Sequence, residues 1–229
     1  IRTPNRFDIL EESRDALSSS SLYDTNTDTI ENQTKAAESS QRKSQRKQKS
    51  NNKKTKSKSK IKPVTVILGD SIVRDLKGWE LSNDKTHVVI KCFRGVHTHQ
   101  MKWHAKPTIE QKPDNIILHC GINDITKDCD SNKVANEIFN IGLSIMKESK
   151  CNLVISGIVK RKKILQKEIN EVNGILKDNC NKRNIGFIAH DNINPIYHCN
   201  KRGLHLKKNG SSILSDNFVD VIDSLDSNN

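Results

Sequence analysis

Four short segments carry residue types that could act together on one carbonyl group: Gly69-Asp70-Ser71, Phe93-Arg94-Gly95, Gly121-Ile122-Asn123-Asp124 and Gly203-Leu204-His205-Leu206. A serine hydroxyl becomes a nucleophile when a neighbouring base takes its proton. Ser71 sits at a strand-to-helix turn and His205 beside a helix start at the far end of the chain, which makes them the candidate nucleophile and base. The oxygen of an attacked carbonyl gains negative charge and needs donors aimed at it. Three are on offer: the Ser71 N–H at the start of the next helix, where the dipole favours an anion, the Gly95 N–H, which a glycine can bring close, and the Asn123 side-chain amide. Each has a plainer reading when taken singly, the glycines as strand-end turns and Asn123 and Asp124 as caps of the following segment.

These residues are useful only if a fold gathers them. Val64–Leu68 is a short β-branched run closed by Gly69, which reads as a strand buried on both faces, and similar runs recur at His87–Cys92, Asn115–Cys120, Asn152–Gly157 and Ile185–Ile188. Helical spacing lies between the later ones. Val134, Ile138, Ile141 and Ile145 share one face of Lys133–Met146, and Ile169, Val172, Ile175 and Leu176 one face of Leu165–Cys180. A last stripe comes after Asn209-Gly210, with Ile213, Leu214, Phe218, Val221, Ile222 and Leu225. Strands alternating with helices predict an α/β fold with a parallel sheet covered on both faces. Such sheets do their work just beyond the C-terminal ends of the strands; three of the segments follow the first three strands, the His205 segment lies near the C-terminus, and this fold class would bring all four to one edge.

The blocks Gly69-Asp70-Ser71, Gly95, Gly121-x-Asn123-Asp124 and His205-Leu206 followed by Gly210 occur in the order found in the SGNH (GDSL-type) hydrolases, and the sequence resembles that family from about Val64 to Leu225. The resemblance implies a flavodoxin-like three-layer α/β/α sandwich with a five-stranded parallel sheet, and hydrolysis of esters, thioesters or acyl groups through an acyl-serine. No cofactor is implied. By the same resemblance Ser71 is the nucleophile, His205 the base, and Ser71, Gly95 and Asn123 the oxyanion hole. One position departs from the pattern: where the family has an Asp three residues before the His, this chain has Arg202. Loss of that carboxylate costs about four orders of magnitude in turnover in serine proteases. Three readings are open: a backbone carbonyl serves His205 in a Ser–His dyad, Asp191 or another acid reaches it, or the enzyme is slow or dead.

The chain has 229 residues with 33% hydrophobic and 4% aromatic, and formal net charge +12. Eleven of the 39 Lys+Arg and none of the 27 Asp+Glu fall in Arg42–Lys62. Residues 1–62 are polar with apolar residues too sparse to form a core, which predicts a disordered tail ahead of a domain at 63–229. The basic run holds Arg42, Lys43, Arg46, Lys47, Lys49, Lys53 and Lys54, and reads either as a solvated linker or as a patch for RNA or DNA phosphates. A basic tail ahead of such a domain also resembles the SGNH-like open reading frames of cnidarian genomes and the esterase-like domains of LINE-type retrotransposons. The alternative function is thus a catalytically impaired scaffold that binds nucleic acid through its arm, whereas the leading one acts on a small acyl ester.

No run approaches the roughly 18 apolar residues of a spanning helix, and no signal-peptide core opens the chain. Ile1 in place of an initiator Met leaves an upstream segment open. Six cysteines without a C-x-x-C pair read as reduced thiols, which predicts an intracellular protein, in cytoplasm or nucleus. No metal site is predicted, and His97, His99 and His104 read as surface or loop histidines.

Overall fold

The computed structural model describes residues 62–162 and 165–227. The expected disordered tail and its basic residues up to Lys60 lie outside the described residues. The domain is built on a five-stranded, all-parallel sheet in the order β2-β1-β3-β4-β5. Its strands are β1 (Val64–Gly69), β2 (His87–Cys92), β3 (Asn115–His119), β4 (Asn152–Ser156) and β5 (Gly186–Ile188). The β-branched runs form the strands because parallel strands are covered on both faces, and Ile67, Leu68, Ile116, Ile117, Leu118 and Ile155 are wholly buried.

Six helices complete the layers: α1 (Gly78–Leu81), α2 (Thr98–Glu110), α3 (Ser131–Glu148), α4 (Gln166–Arg183), α5 (Pro195–His198) and α6 (Lys208–Ser227). α2, α3 and α4 pack side by side on one face of the sheet, and α1 and α6 pack together on the other. α3 lies close to β4 because Gly142 has no side chain; a Cβ there would meet Leu153 Cδ2 at 2.9 Å. This is the flavodoxin-like α/β/α sandwich expected from the sequence. α2 was not expected. Of its buried positions, Thr98, Met101, Ala105 and Thr108, only Met101 is large and apolar, and Pro107 lies inside it, so its periodicity is faint. His99 and His104 lie on this helix rather than in a loop, and His104 stacks on Phe93 at 4.0 Å between ring centroids.

The sheet face beneath α6 carries two polar rows. At the strand starts, Asn115 donates to Thr65 Oγ1 and Asn152 donates to Asn115 Oδ1, both at 2.9 Å. At the strand ends, Asn217 Nδ2 donates to His190 Nδ1 (2.9 Å), which fixes the proton of His190 on Nε2 for donation to Ser156 Oγ (2.7 Å). Ser156 then donates to His119 Nδ1 (2.8 Å). Phe218 of α6 is wholly buried and packs edge-on against both imidazoles. Burial pushes His119 down to about 4 and His190 down to about 3, so both rings are neutral links in this chain.

All six cysteines are free thiols. Among the described residues no helix is long and apolar enough to cross a membrane.

Candidate active site

The turn after β1 is built by close packing. A side chain at Gly69 would meet Val73 Cγ2 at 2.7 Å and the His119 carbonyl at 3.2 Å, so only glycine fits. Asp70 is fully buried, accepts the Ile72 N–H at 2.9 Å, and leaves Oδ2 without a partner among the described residues. Burial raises its carboxyl to about 6, against the pull of the Ile72 N–H and Arg161. The Asp70 N–H reaches the His119 carbonyl (3.1 Å), which ties the turn to the end of β3. Ser71 is 8% exposed at this edge. The expected helix directly after it is only a single 3₁₀ turn, Val73–Asp75, so no long-helix dipole stands behind the serine.

Two neighbouring loops are bolted to each other. Asn123 Nδ2 donates to the Val96 carbonyl (2.9 Å), which places it against the Gly95 loop with one amide hydrogen to spare. Asp124 accepts the Thr98 N–H at 3.0 Å, capping α2, and meets His97 Nδ1 at 3.1 Å. Gly95 has φ +69°, a conformation that favours glycine, and a Cβ there would point into open space. The Phe93 N–H, donated to the Gly69 carbonyl at 2.8 Å, ties this loop to the serine turn. Among the described residues, the Ser71 and Gly95 N–H groups have no acceptor. Sequence reasoning nominated Ser71, Gly95 and Asn123; the bonds at Phe93 and Val96 link their segments.

His205 comes from a separate, hairpin-like loop. Cys199 bridges Leu206 antiparallel, the Asn200 N–H reaches the His205 carbonyl (2.8 Å), and the Lys207 N–H reaches the His198 carbonyl (2.7 Å). Gly203, at φ +72°, lies against Lys162, where a Cβ would sit 2.6 Å from the lysine Cβ. The Lys162 N–H donates to the Gly203 carbonyl at 3.2 Å. The ring itself is unbraced: among the described residues its buried Nδ1 has no partner, and no hydrogen bond joins the imidazole to Ser71 Oγ. Asp191 is exposed and pairs with Lys160 at 3.5 Å.

Burial lowers the His205 pKa first, followed by the positive charges of Arg74, Arg161 and Arg94, with Asp75 opposing them. Arg74 and Asp75 both belong to the turn that follows Ser71. Arg202 is exposed and is not among these groups, so the cations weighing on the imidazole are three that sequence reasoning left aside. Two had a visible signal, Arg74 three residues after Ser71 and Arg94 directly before Gly95, whereas Arg161 is brought in by tertiary contact alone. A hollow of ligand size, about 420 Å³, lies elsewhere: Asn83, Asp84 and Lys85 place it at the start of β2, facing Asp223 and Asp226 of α6.

No family model and no curated protein matches the sequence. Solved structures do match in fold. The lipase/acylhydrolase from Enterococcus faecalis aligns with a TM-score of 0.58 at 18% identity, over 70% of this chain and 95% of that one. The psychrotrophic esterase EstA from Pseudoalteromonas sp., inhibited by monoethylphosphonate, aligns with a TM-score of 0.60 at 15% identity, over 73% and 100%. A member of the lipolytic protein G-D-S-L family from Veillonella parvula gives 0.58 at 21%, over 69% and 97%. The three-layer fold is therefore the one found in these lipolytic and esterase proteins.

Proposed function

We propose that residues 63–229 form a serine esterase of the SGNH type acting through an acyl-serine. The reading rests chiefly on one observation: the Ser71 and Gly95 N–H groups, both without acceptors among the described residues, lie on loops tied together and to Asn123 at the edge where this fold works. In the proposed reaction His205 takes the proton as Ser71 Oγ attacks the ester carbonyl, and the two N–H groups with the spare Asn123 hydrogen receive the oxyanion. Collapse breaks the bond to the alcohol, which leaves with the proton from His205. Water, deprotonated by His205 in turn, then releases the acid and restores Ser71. The depressed pKa keeps His205 neutral and ready to accept a proton at neutral pH. It also makes the imidazolium costly, so slow turnover is expected. A fluorophosphonate should label the protein covalently, and Ser71→Ala should abolish labelling; equal labelling of both proteins rejects the assignment.

The unpartnered His205 Nδ1 favours a second reading, an impaired scaffold that binds RNA or DNA through Arg42–Lys62. In that case deleting residues 1–62 should abolish salt-sensitive nucleic-acid retention, with no ester hydrolysis in the full chain.

A further inference from the structure

Each structural arm of the site contributes one arginine. Arg74 comes after the serine turn, Arg94 precedes Gly95, and Arg161 lies on the segment after β4 that runs beside the His205 loop. That segment is pinned at both ends. Asn173 of α4 clamps Ile158, accepting its N–H at 2.7 Å and donating to its carbonyl at 2.9 Å, while Lys162 is bonded to Gly203. The charges are unequally satisfied. Arg74 grips Asp75 through Nε at 3.2 Å from each carboxylate oxygen. Arg161 has a buried Nε without a partner, and neither Arg94 nor Arg161 forms a hydrogen bond or ion pair among the described residues. Asp70, the carboxylate whose charge acts on Arg161, is sealed inside the fold and accepts the Ile72 N–H. A guanidinium with a buried, unmatched N–H is costly unless an oxyanion meets it.

We propose that Arg94 and Arg161 form an anion-recognition subsite beside Ser71, so that the substrate is an ester bearing a second, negatively charged group, a carboxylate or a phosphate. This rests on the serine-esterase reading and adds the substrate class to it. The anion gives Arg94 and Arg161 the ion-pair partner that neither has among the described residues, and by standing near the imidazole it also offsets the arginines that disfavour the imidazolium. The same ligand thus binds and assists the proton transfer, and a neutral ester does neither.

The full chain is tested with three 4-nitrophenyl esters of equal chain length: the hexanoate, the mono-ester of adipate and the 6-aminohexanoate. The adipate should be preferred over the hexanoate by about tenfold or more in kcat/KM at low salt, with the amino ester poorest and the preference shrinking as salt rises. Arg94→Gln and Arg161→Gln should move the two substrates in opposite directions, lowering adipate turnover while raising hexanoate turnover. A structural defect would instead lower both. Arg94 is exposed, so its variant tests the idea even if Arg161→Gln fails to fold. Stronger inhibition by monomethyl adipate than by methyl phosphate assigns a carboxylate, and the reverse assigns a phosphate; inhibition by neither overturns the proposal, as does equal use of adipate and hexanoate. If fluorophosphonate labelling fails and no ester reacts, the esterase reading falls. The subsite is then read by binding of the adipate mono-ester against the hexanoate to Ser71→Ala, where equal affinity rejects it.

Discussion

The two halves of the site are held in different ways. On the nucleophile side, side chains and backbone lock the loops to one another: Asn123 to Val96, Asp124 to Thr98 and His97, Phe93 to Gly69. On the His205 side the backbone is equally well bonded, yet the imidazole has no partner on Nδ1 among the described residues. The difference shows that placing a loop and orienting a ring are separate tasks. Backbone hydrogen bonds and Gly203 accomplish the first, and only a polar group at the ring accomplishes the second. On the esterase reading proposed above, such a site has its oxyanion donors preorganised and its base left to settle when substrate arrives.

The braced half is best broken at Asn123. Asn123→Ala removes both the proposed oxyanion donor and the tie to the Gly95 loop, and should lower kcat on activated esters by about 10²- to 10³-fold, the range for one lost donor. A loss below about threefold would mean that Asn123 only fastens the loop. The open half can be sharpened with Arg202→Asp, which returns an acid to the position three before His205. Ester kcat/KM should rise by about tenfold if the new carboxylate reaches Nδ1, a partial recovery of the effect known from serine proteases; an unchanged rate in an active enzyme leaves Arg202 as a surface residue.

Smaller effects test the buried polar row beneath both halves. Ser156→Ala strands the His190 Nε2–H and should cost about 1–3 kcal/mol in urea unfolding. A cost near zero would mean that the row is fed by water. Acid gives the last comparison. His119 and His190 bind protons less readily folded than unfolded, so their stabilisation is full above the ordinary histidine value near 6.5 and is lost as pH falls toward about 4 and about 3. Asp70 works the other way, taking up its proton in the folded state near pH 6 and adding stability as pH falls toward 3.8. Three histidines with lowered pKa values, His205 included, against one aspartate leave a net loss of stability as pH falls between about 6 and 4. Unfolding midpoints between about pH 7 and 4.5 check the sign, and a rise on acidification would show that Asp70 dominates.

The strands and the three long helices were legible because burial on two faces or one stripe leaves a strong period in the sequence. The pattern failed at α2, where Thr98, Ala105 and Thr108 do the packing of larger residues, and after Ser71, where three residues of 3₁₀ turn leave no period at all. Ser71, Gly95 and Asn123 were legible as residue types after strands, and His205 as a histidine just before the last helix. The polar row was not, since His119, Ser156 and His190 meet only through sheet pairing and Asn217 through the packing of α6. Arg161 escaped for the same reason.

The strand order also sets a schedule for a chain emerging from the ribosome. β1 sits beside β3 in the sheet and brings the serine turn, so the nucleophile, Gly95 and Asn123 can be assembled while the C-terminal half is still unmade. His205 arrives almost last. At ~5–20 residues per second, roughly ten seconds of synthesis separate Ser71 from His205. On the proposed esterase reading, the nascent domain therefore passes through an interval in which it holds the oxyanion donors and the serine but no base, and its site is complete only after the loop before the final helix has emerged.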